Sequence, residues 1–279
     1  MKIPRPLSVF CLAKLNLSLF VYPPLANGYH PIHSVFQTIS LGDTMELRFH
    51  DTPGLQIQVM GGPAIEFENN IVTKLYRRFA DRIPCGISID LIKRIPVGGG
   101  LGGGSTNAAE FLKIINEHFL HYSFDQLQEI AKEFGSDIPF FLTGGTALVT
   151  GIGDRVKPLP KSPFSAFILL VPPLSISTPL IYKTIDEFNL ADIPDSEAEK
   201  DVTIGYLGRN TLQKAVWKLF PLYSEIESKL MEHKLPFPRL SGSGATLFFP
   251  YIRSPEVTQH FEKIQNLFPD FETFLVTGQ

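Results

Sequence analysis

Six of the seven residues from Gly98 to Gly104 are glycine, inside the stretch KRIPVGGGLGGGSTNAAEFLKII that runs from Lys93 to Ile115. Nothing else in the chain restricts its fold as much, because so much bare backbone must either dangle in solvent or lie against something. The flanks choose. Upstream, GISIDLIKR alternates Ile87, Ile89 and Leu91 with polar neighbours, the period of a half-buried strand. Downstream, Ala108, Phe111 or Leu112, Ile115 and Phe119 recur at helical spacing, and Ser105, Thr106 and Asn107 supply cap and first-turn residues. The local order is strand, glycine loop, helix. A helix start offers unpaired N–H groups and the positive end of a dipole, worth about 0.3–2 kcal/mol to an anion. Glycine lets backbone approach that anion and adopt positive φ at little steric cost. The stretch reads as a phosphate cradle.

Two familiar cradles fit poorly. A P-loop needs Lys and Ser/Thr directly after its last glycine, and Ser105 follows here with no lysine. Gly98, Gly100 and Gly103 satisfy a dinucleotide fingerprint only trivially, and the acidic residue about 20 positions on would be Glu117, inside the helix pattern.

The chain's 279 residues allow one large or two modest domains, with 44% hydrophobic and 19% charged residues, an ordinary globular balance. A net charge of −3 gives no basic footprint, so nucleic acid is not an expected partner. Cys11 and Cys85 are too few for a disulfide framework and read as buried small hydrophobes. The start MKIPRPLSVF has no long apolar core, and no later stretch reaches the roughly 18 apolar residues of a membrane span. A reducing, cytoplasmic setting with no membrane partner is expected.

Strands are expected at LSVFCL, LNLSLFV, HSVFQTISL, TMELRFH and LQIQVM, then a helix at NNIVTKLYRRFADR capped by Asn69 or Asn70. After the glycine loop the second helix should reach about Leu120, and a third should cover SFDQLQEIAKEFG. GGTALVTGIGDRVKPL reads as a hairpin and FSAFILLVPP as a short buried strand, while the acidic FNLADIPDSEAEKDVT reads as a loop or boundary. Helices resume at IGYLGRNTLQKAVWKLF and PLYSEIESKLMEH, and the end reads strand, helix, strand. Strands first and mixed elements afterwards predict an α+β fold whose two lobes meet near residues 160–173.

Several separated motifs resemble the GHMP kinases. IPVGGGLGGGSTNAA is similar to their phosphate loop, LSGSGATLFF (Leu240 to Phe249) to their C-terminal glycine motif, and AKLNLSLFV (Ala13 to Val21) to their N-terminal strand motif. NGYHPIHSVFQTISLGD, GSDIPFFLTGGTAL and STPLIYKTID resemble the branch of the family that acts on a cytidine-linked polyol phosphate. The resemblance covers nearly the whole chain. It implies the two-lobed GHMP kinase fold, with an ATP-binding domain over 1–160, a C-terminal domain over 161–279 that binds the substrate, and the active site between them. ATP with Mg²⁺ would be the phosphoryl donor, although no carboxylate cluster identifies metal ligands.

Residue by residue, the resemblance makes Lys14 and Asp137 the catalytic pair. A lysine between Leu12, Ala13 and Leu15 could be an edge residue whose head reaches water, but burying it requires an anionic partner. Asp137, beside Gly135 and Pro139, could equally be a turn or cap aspartate. The segment Pro96, Val97, Gly98, Gly99, Gly100, Leu101, Gly102, Gly103, Gly104, Ser105 and Thr106 would bind ATP, with Gly242, Ser243 and Gly244 behind it. Asn16 lies on the same strand face as Lys14 and would touch substrate. The resemblance has Tyr29 and Tyr182 sandwich the cytosine and His30 hydrogen-bond it, with Thr178 and Pro179 lining the pocket. Asn70 and Lys93 either border the adenosine or serve as a helix cap and a surface charge. A smaller-alcohol kinase of the homoserine or mevalonate type, or a silent nucleotide sensor, stays open as an alternative.

Overall fold

The computed structural model describes residues 4–62, 66–193, 207–253 and 255–279. They form two compact units from interleaved segments. The first comprises Met1–Ala13, Leu41–Val97 and Gly102–Gly144; the second comprises Lys14–Ser40, Gly98–Leu101 and Gly145–Gln279. Two long strands, β1 (Leu7–Val21) and β2 (Ile32–His50), contribute to both.

Four shorter strands were expected where β1 and β2 run unbroken. Between LSVFCL and LNLSLFV lie only Ala13 and Lys14, and neither residue breaks a strand. Gly42, which reads as a turn signal, has a different reason to be glycine. A Cβ there would lie 2.7 Å from the Phe10 ring and 2.8 Å from the Cys11 carbonyl, so the missing side chain lets β1 pass close by.

In the first unit, β3 (Gly54–Met60) pairs parallel with β4 (Gly86–Ile92), and β4 pairs antiparallel with Thr44–His50 of β2. Ile87, Ile89 and Leu91 of β4 are buried, as their alternation predicts. Helix α1 (Ile71–Phe79) starts at Asn70, whose side chain accepts from the Val72 N–H. Helix α2 (Gly103–Ile115) begins earlier than Ser105–Asn107 suggested. Its N-cap is Gly102 in the left-handed region, with no side-chain cap. It buries Ala108, Phe111, Leu112 and Ile115, then loosens into a π turn over Asn116–Leu120, where Phe119 is only half-buried. Helix α3 (Phe124–Phe134) carries a Ser123–Gln126 capping box, and the short α4 (Ile138–Thr143) follows Asp137.

In the second unit, Ser34–Gln37 of β2 pairs with β5 (Thr146–Thr150), and β5 with β6 (Arg155–Pro158), the expected hairpin. A separate antiparallel sheet has the order β10 (Glu272–Thr277), β7 (Ala166–Val171), β9 (Leu247–Tyr251), β8 (Arg239–Leu240). Helix α5 (Thr178–Glu187) follows β7, and the described residues of the unit also form α6 (Thr211–Leu219), α7 (Leu222–Glu232) and α8 (Val257–Leu267). The helix expected from Ile204 begins, within the described residues, at Thr211 with Asn210 as its cap. Most of the acidic stretch lies outside the described residues. Its start is anchored, because Asp192 pairs with Arg209 at 2.5 Å and its N–H donates to the Val21 carbonyl.

Candidate active site

The glycine loop owes its shape to alternation. Gly98, Gly100 and Gly102 have φ of 74°, 73° and 73°, with conventional residues between them. Positive φ at every second residue turns successive N–H groups toward one concave side, the form of an anion-binding nest. The carbonyls go the other way. In the second unit, the N–H groups of Ala245 and Thr246 donate to the Gly98 and Gly99 carbonyls at 3.1 and 3.2 Å, and Ser241 Oγ donates to that of Gly100 at 3.1 Å. The C-terminal glycine motif thus braces the loop from behind. Contact is so close that a Cβ on Gly100 would lie 2.2 Å from the Ser241 carbonyl oxygen.

A test follows directly. Gly102→Val places a β-branched side chain at a φ that L residues rarely adopt, at a cost of about 1–3 kcal/mol. The free loop should relax out of that strained shape, so ATP binding must restore it and nucleotide affinity should fall roughly 5- to 150-fold, each 1.4 kcal/mol being a factor of ten. Titration calorimetry with ATP measures it, and circular dichroism confirms the fold. Unaltered ATP affinity in a folded variant would show that the loop is a linker.

Lys14 shares its unit with this bracing. Its backbone N–H donates to the Leu101 carbonyl at 3.0 Å, which ties β1 to the loop. Its head does not reach out to water as an edge lysine would, because the residue is 4% exposed. Nζ donates to Asn16 Oδ1 at 2.5 Å and sits 4.6 Å from the Phe36 ring centroid. Asn16 Nδ2 then donates to Ser34 Oγ at 3.2 Å. The period of two in β1 puts Lys14 and Asn16 on one face, and the structure joins them there.

In the first unit Asp137 occupies the N-cap position of α4, yet its side chain makes no capping hydrogen bond. The cap reading therefore loses its physical content, although the position itself is that of a cap. Asn70 does serve as a cap. Lys93 is not a surface charge: its Nζ pairs with the fully buried Asp43 and donates to Asn107 Oδ1 at 2.9 Å. Both side chains are thus committed to the fold. The Cys11 thiol lies beside this network and is pushed up to about 12, mainly by burial, which fits a packed hydrophobe and not a nucleophile.

The expected base-binding residues fall in the second unit. His30 is buried, its Nδ1 is 2.8 Å from the Tyr22 carbonyl, and its ring centre is 5.1 Å from that of Tyr182. Tyr29 follows the Asn27–Gly28 turn and is 61% exposed. Thr178 and Pro179 form the exposed first turn of α5, where Thr178 Oγ1 lies 2.7 Å from Ser243 Oγ. Sequence reasoning missed Asp186, whose carboxylate stands 3.3 Å from His30 Nε2. It missed Asp43 as well. Helical spacing from Tyr182 could have signalled the first; nothing local signals the second.

Residues 70–145, which hold the glycine loop and Asp137, match the family model described as GHMP kinases N terminal domain. A braced glycine nest followed by a helix is an anion-binding arrangement, the family match makes it that of the GHMP kinases, and solved structures share the fold. A homoserine kinase from Cytophaga hutchinsonii shares the fold at a TM-score of 0.70 and 18% identity, covering 100% of this chain and 96% of its own. A crystal structure of 4-(cytidine 5'-diphospho)-2C-methyl-D-erythritol kinase is nearer, at a TM-score of 0.79 and 28% identity over 98% of this chain and 99% of that one. Among curated relatives, 4-diphosphocytidyl-2-C-methyl-D-erythritol kinase of Lachnospira eligens is 34% identical, covering 89% of this chain and 91% of its own. Its counterpart from Thermodesulfovibrio yellowstonii is 37% identical over 85% and 86%. The chain belongs to the 4-diphosphocytidyl-2-C-methyl-D-erythritol kinase family.

Proposed function

We propose that the protein transfers the γ-phosphate of ATP to the 2-hydroxyl of 4-diphosphocytidyl-2-C-methyl-D-erythritol, a step in non-mevalonate isoprenoid precursor synthesis in the cytoplasm. The observation that carries the phosphoryl-transfer half is the glycine loop, its carbonyls tied back by residues 241–246 and its alternating positive φ values those of an anion-binding nest. The aromatic contact of His30 with Tyr182 supports the base-binding half. A homoserine or mevalonate kinase would have no use for it.

Proton energetics limit the mechanism. An alcohol near ~15.7 and an ordinary carboxylate near ~3.9 differ by about 12 units, or about 16 kcal/mol. A kinase turning over about 10 times per second has a total barrier of about 16 kcal/mol. Removing the proton before attack would consume all of it. Asp137 therefore orients the hydroxyl and accepts its proton late, as the bond to phosphorus forms. Lys14, its ammonium screened from water, stabilises the developing alkoxide. A loose transition state needs such positioning and charge more than a strong nucleophile.

Magnesium would accompany ATP and neutralise phosphate charge. Among the described residues no three His, Cys, Asp or Glu side chains gather as a metal site. We read 1–160 as the ATP-binding domain and 161–279 as the second domain.

The deciding experiment is ATP consumption across cytidylated and uncytidylated polyols. Turnover only with the cytidylated substrate is expected; equal turnover with homoserine or mevalonate would overturn the reading. Tyr182→Ala and Tyr29→Ala should each raise the Michaelis constant for that substrate roughly tenfold, since one base–aromatic stack is worth about 1–3 kcal/mol. Unchanged constants would remove the sandwich.

A further inference from the structure

The mechanism and the aromatic pair leave one carboxylate in the base-binding corner unused. Asp186 lies four residues after Tyr182 on α5, one helical turn, so both side chains project from the same face. That face meets a single imidazole. The Tyr182 ring centre is 5.1 Å from the His30 ring centre, and both Asp186 oxygens stand 3.3 Å from His30 Nε2.

His30 itself is fixed. A backbone carbonyl only accepts, so the 2.8 Å contact to the Tyr22 carbonyl makes Nδ1 the donor. Nε2 then faces the carboxylate edge-on and equidistant from its two oxygens. A neutral imidazole has one N–H, so with Nδ1 donating Nε2 has none to give, and a well-made charge-assisted bond would close to about 2.7–2.9 Å. At 3.3 Å to each oxygen, His30 leaves most of the lone pairs of Asp186 unspent. The Asp186 side chain is 45% exposed, against 4% for His30, so a ligand can reach it.

A planar base stacked on Tyr182 would lie one helical turn from this carboxylate, within reach of its edge. Cytosine carries an exocyclic amine on that edge, two N–H donors for an acceptor that cannot donate; uracil carries a carbonyl in its place. We propose that Asp186 is a specificity-determining residue, accepting a hydrogen bond from the cytosine amine and rejecting the uracil analogue through opposed lone pairs. The inference rests on the cytidylated substrate proposed above. It concerns which base the pocket admits, not whether the pocket binds one.

Steady-state kinetics with cytidylated and uridylated methylerythritol separates the two claims. Wild-type turnover of the cytidylated substrate tests the functional reading. The ratio of kcat/KM between the two substrates tests the role of Asp186. Asp186→Asn offers an amide that can donate to the uracil carbonyl, so the ratio should fall roughly tenfold or more, through KM with kcat near wild type. Asp186→Ala should lower kcat/KM for the cytidylated substrate and leave the uridylated one unchanged or improved. A residue that merely holds His30, itself expected to bond the base, would lower the cytidylated rate with no gain for the uridylated substrate in Asp186→Asn, and that result too would overturn the proposal. Equal losses for both bases, or a ratio within about twofold of wild type in both variants, would overturn the proposal.

Discussion

Asp137→Asn should lower turnover by about 10²–10⁴, the usual contribution of a positioned acid or base, with ATP binding intact. The amide keeps the size of the side chain and one hydrogen-bonding oxygen but does not readily take the hydroxyl proton. A lost helix cap would not be the cause, because the Asp137 side chain makes no capping hydrogen bond to α4. This separates the two readings of the residue. An N-cap lost to alanine costs about 1 kcal/mol of stability and leaves chemistry alone; a base lost to asparagine does the reverse. Lys14→Met should act on turnover too, since the ammonium it removes is buried beside Asn16. If both residues serve one transition state, the double variant should lose far less than the product of the single losses. Rapid-quench measurement of a single turnover isolates the chemical step. Multiplicative losses would uncouple the residues, and near-normal turnover in Asp137→Asn would remove the base assignment.

Features whose causes are local were legible in the sequence. Asn70 caps α1, as one of the two expected asparagines, because cap chemistry spans three residues and leaves a pattern. The burial of Ile87, Ile89 and Leu91 follows from alternation alone. Features with distant causes were not. Gly42 looked like a turn, and only the Phe10 ring and the Cys11 carbonyl across the strand explain its missing side chain. Helix α2 begins ahead of its apparent cap residues because the backbone at Gly102, not a side chain, sets its start. The functional corner divides in the same way. Tyr182, His30 and the glycine loop stood in motifs as recognisable site residues, whereas Asp186 closes the STPLIYKTID motif unremarked and meets His30 across a separation of 156 residues that no local pattern shows.

Asp43→Ala should be the most damaging single change to stability. Asp43 Oδ1 accepts from the N–H groups of Arg94 and Ile95 at 2.8 and 2.9 Å. Its Oδ2 accepts from Asn107 Nδ2 at 2.9 Å and pairs with Lys93 Nζ. One fully buried carboxylate thus holds the end of β4, the lead-in to the glycine loop and the first turns of α2. Removing it leaves the Lys93 ammonium, 4% exposed, with Asn107 Oδ1 but no counter-charge, and the Arg94 and Ile95 backbone donors without partners. Breaking a buried pair from one side costs about 3–5 kcal/mol. By the usual scaling of about 2–4 °C per kcal/mol, Tm should fall roughly 6–20 °C, measured by calorimetry. The paired replacement Asp43→Leu with Lys93→Met should recover part of that loss, because it leaves no lone charge, though the Arg94 and Ile95 donors stay unmet. Cys11 gives an independent readout. Its thiol, pushed up to about 12 by burial beside Asn107, should resist alkylation in the native protein and react in Asp43→Ala as this region opens. A Tm within about 2 °C of wild type, with Cys11 still protected, would mean that packing of β4 against α2 holds the loop without the carboxylate.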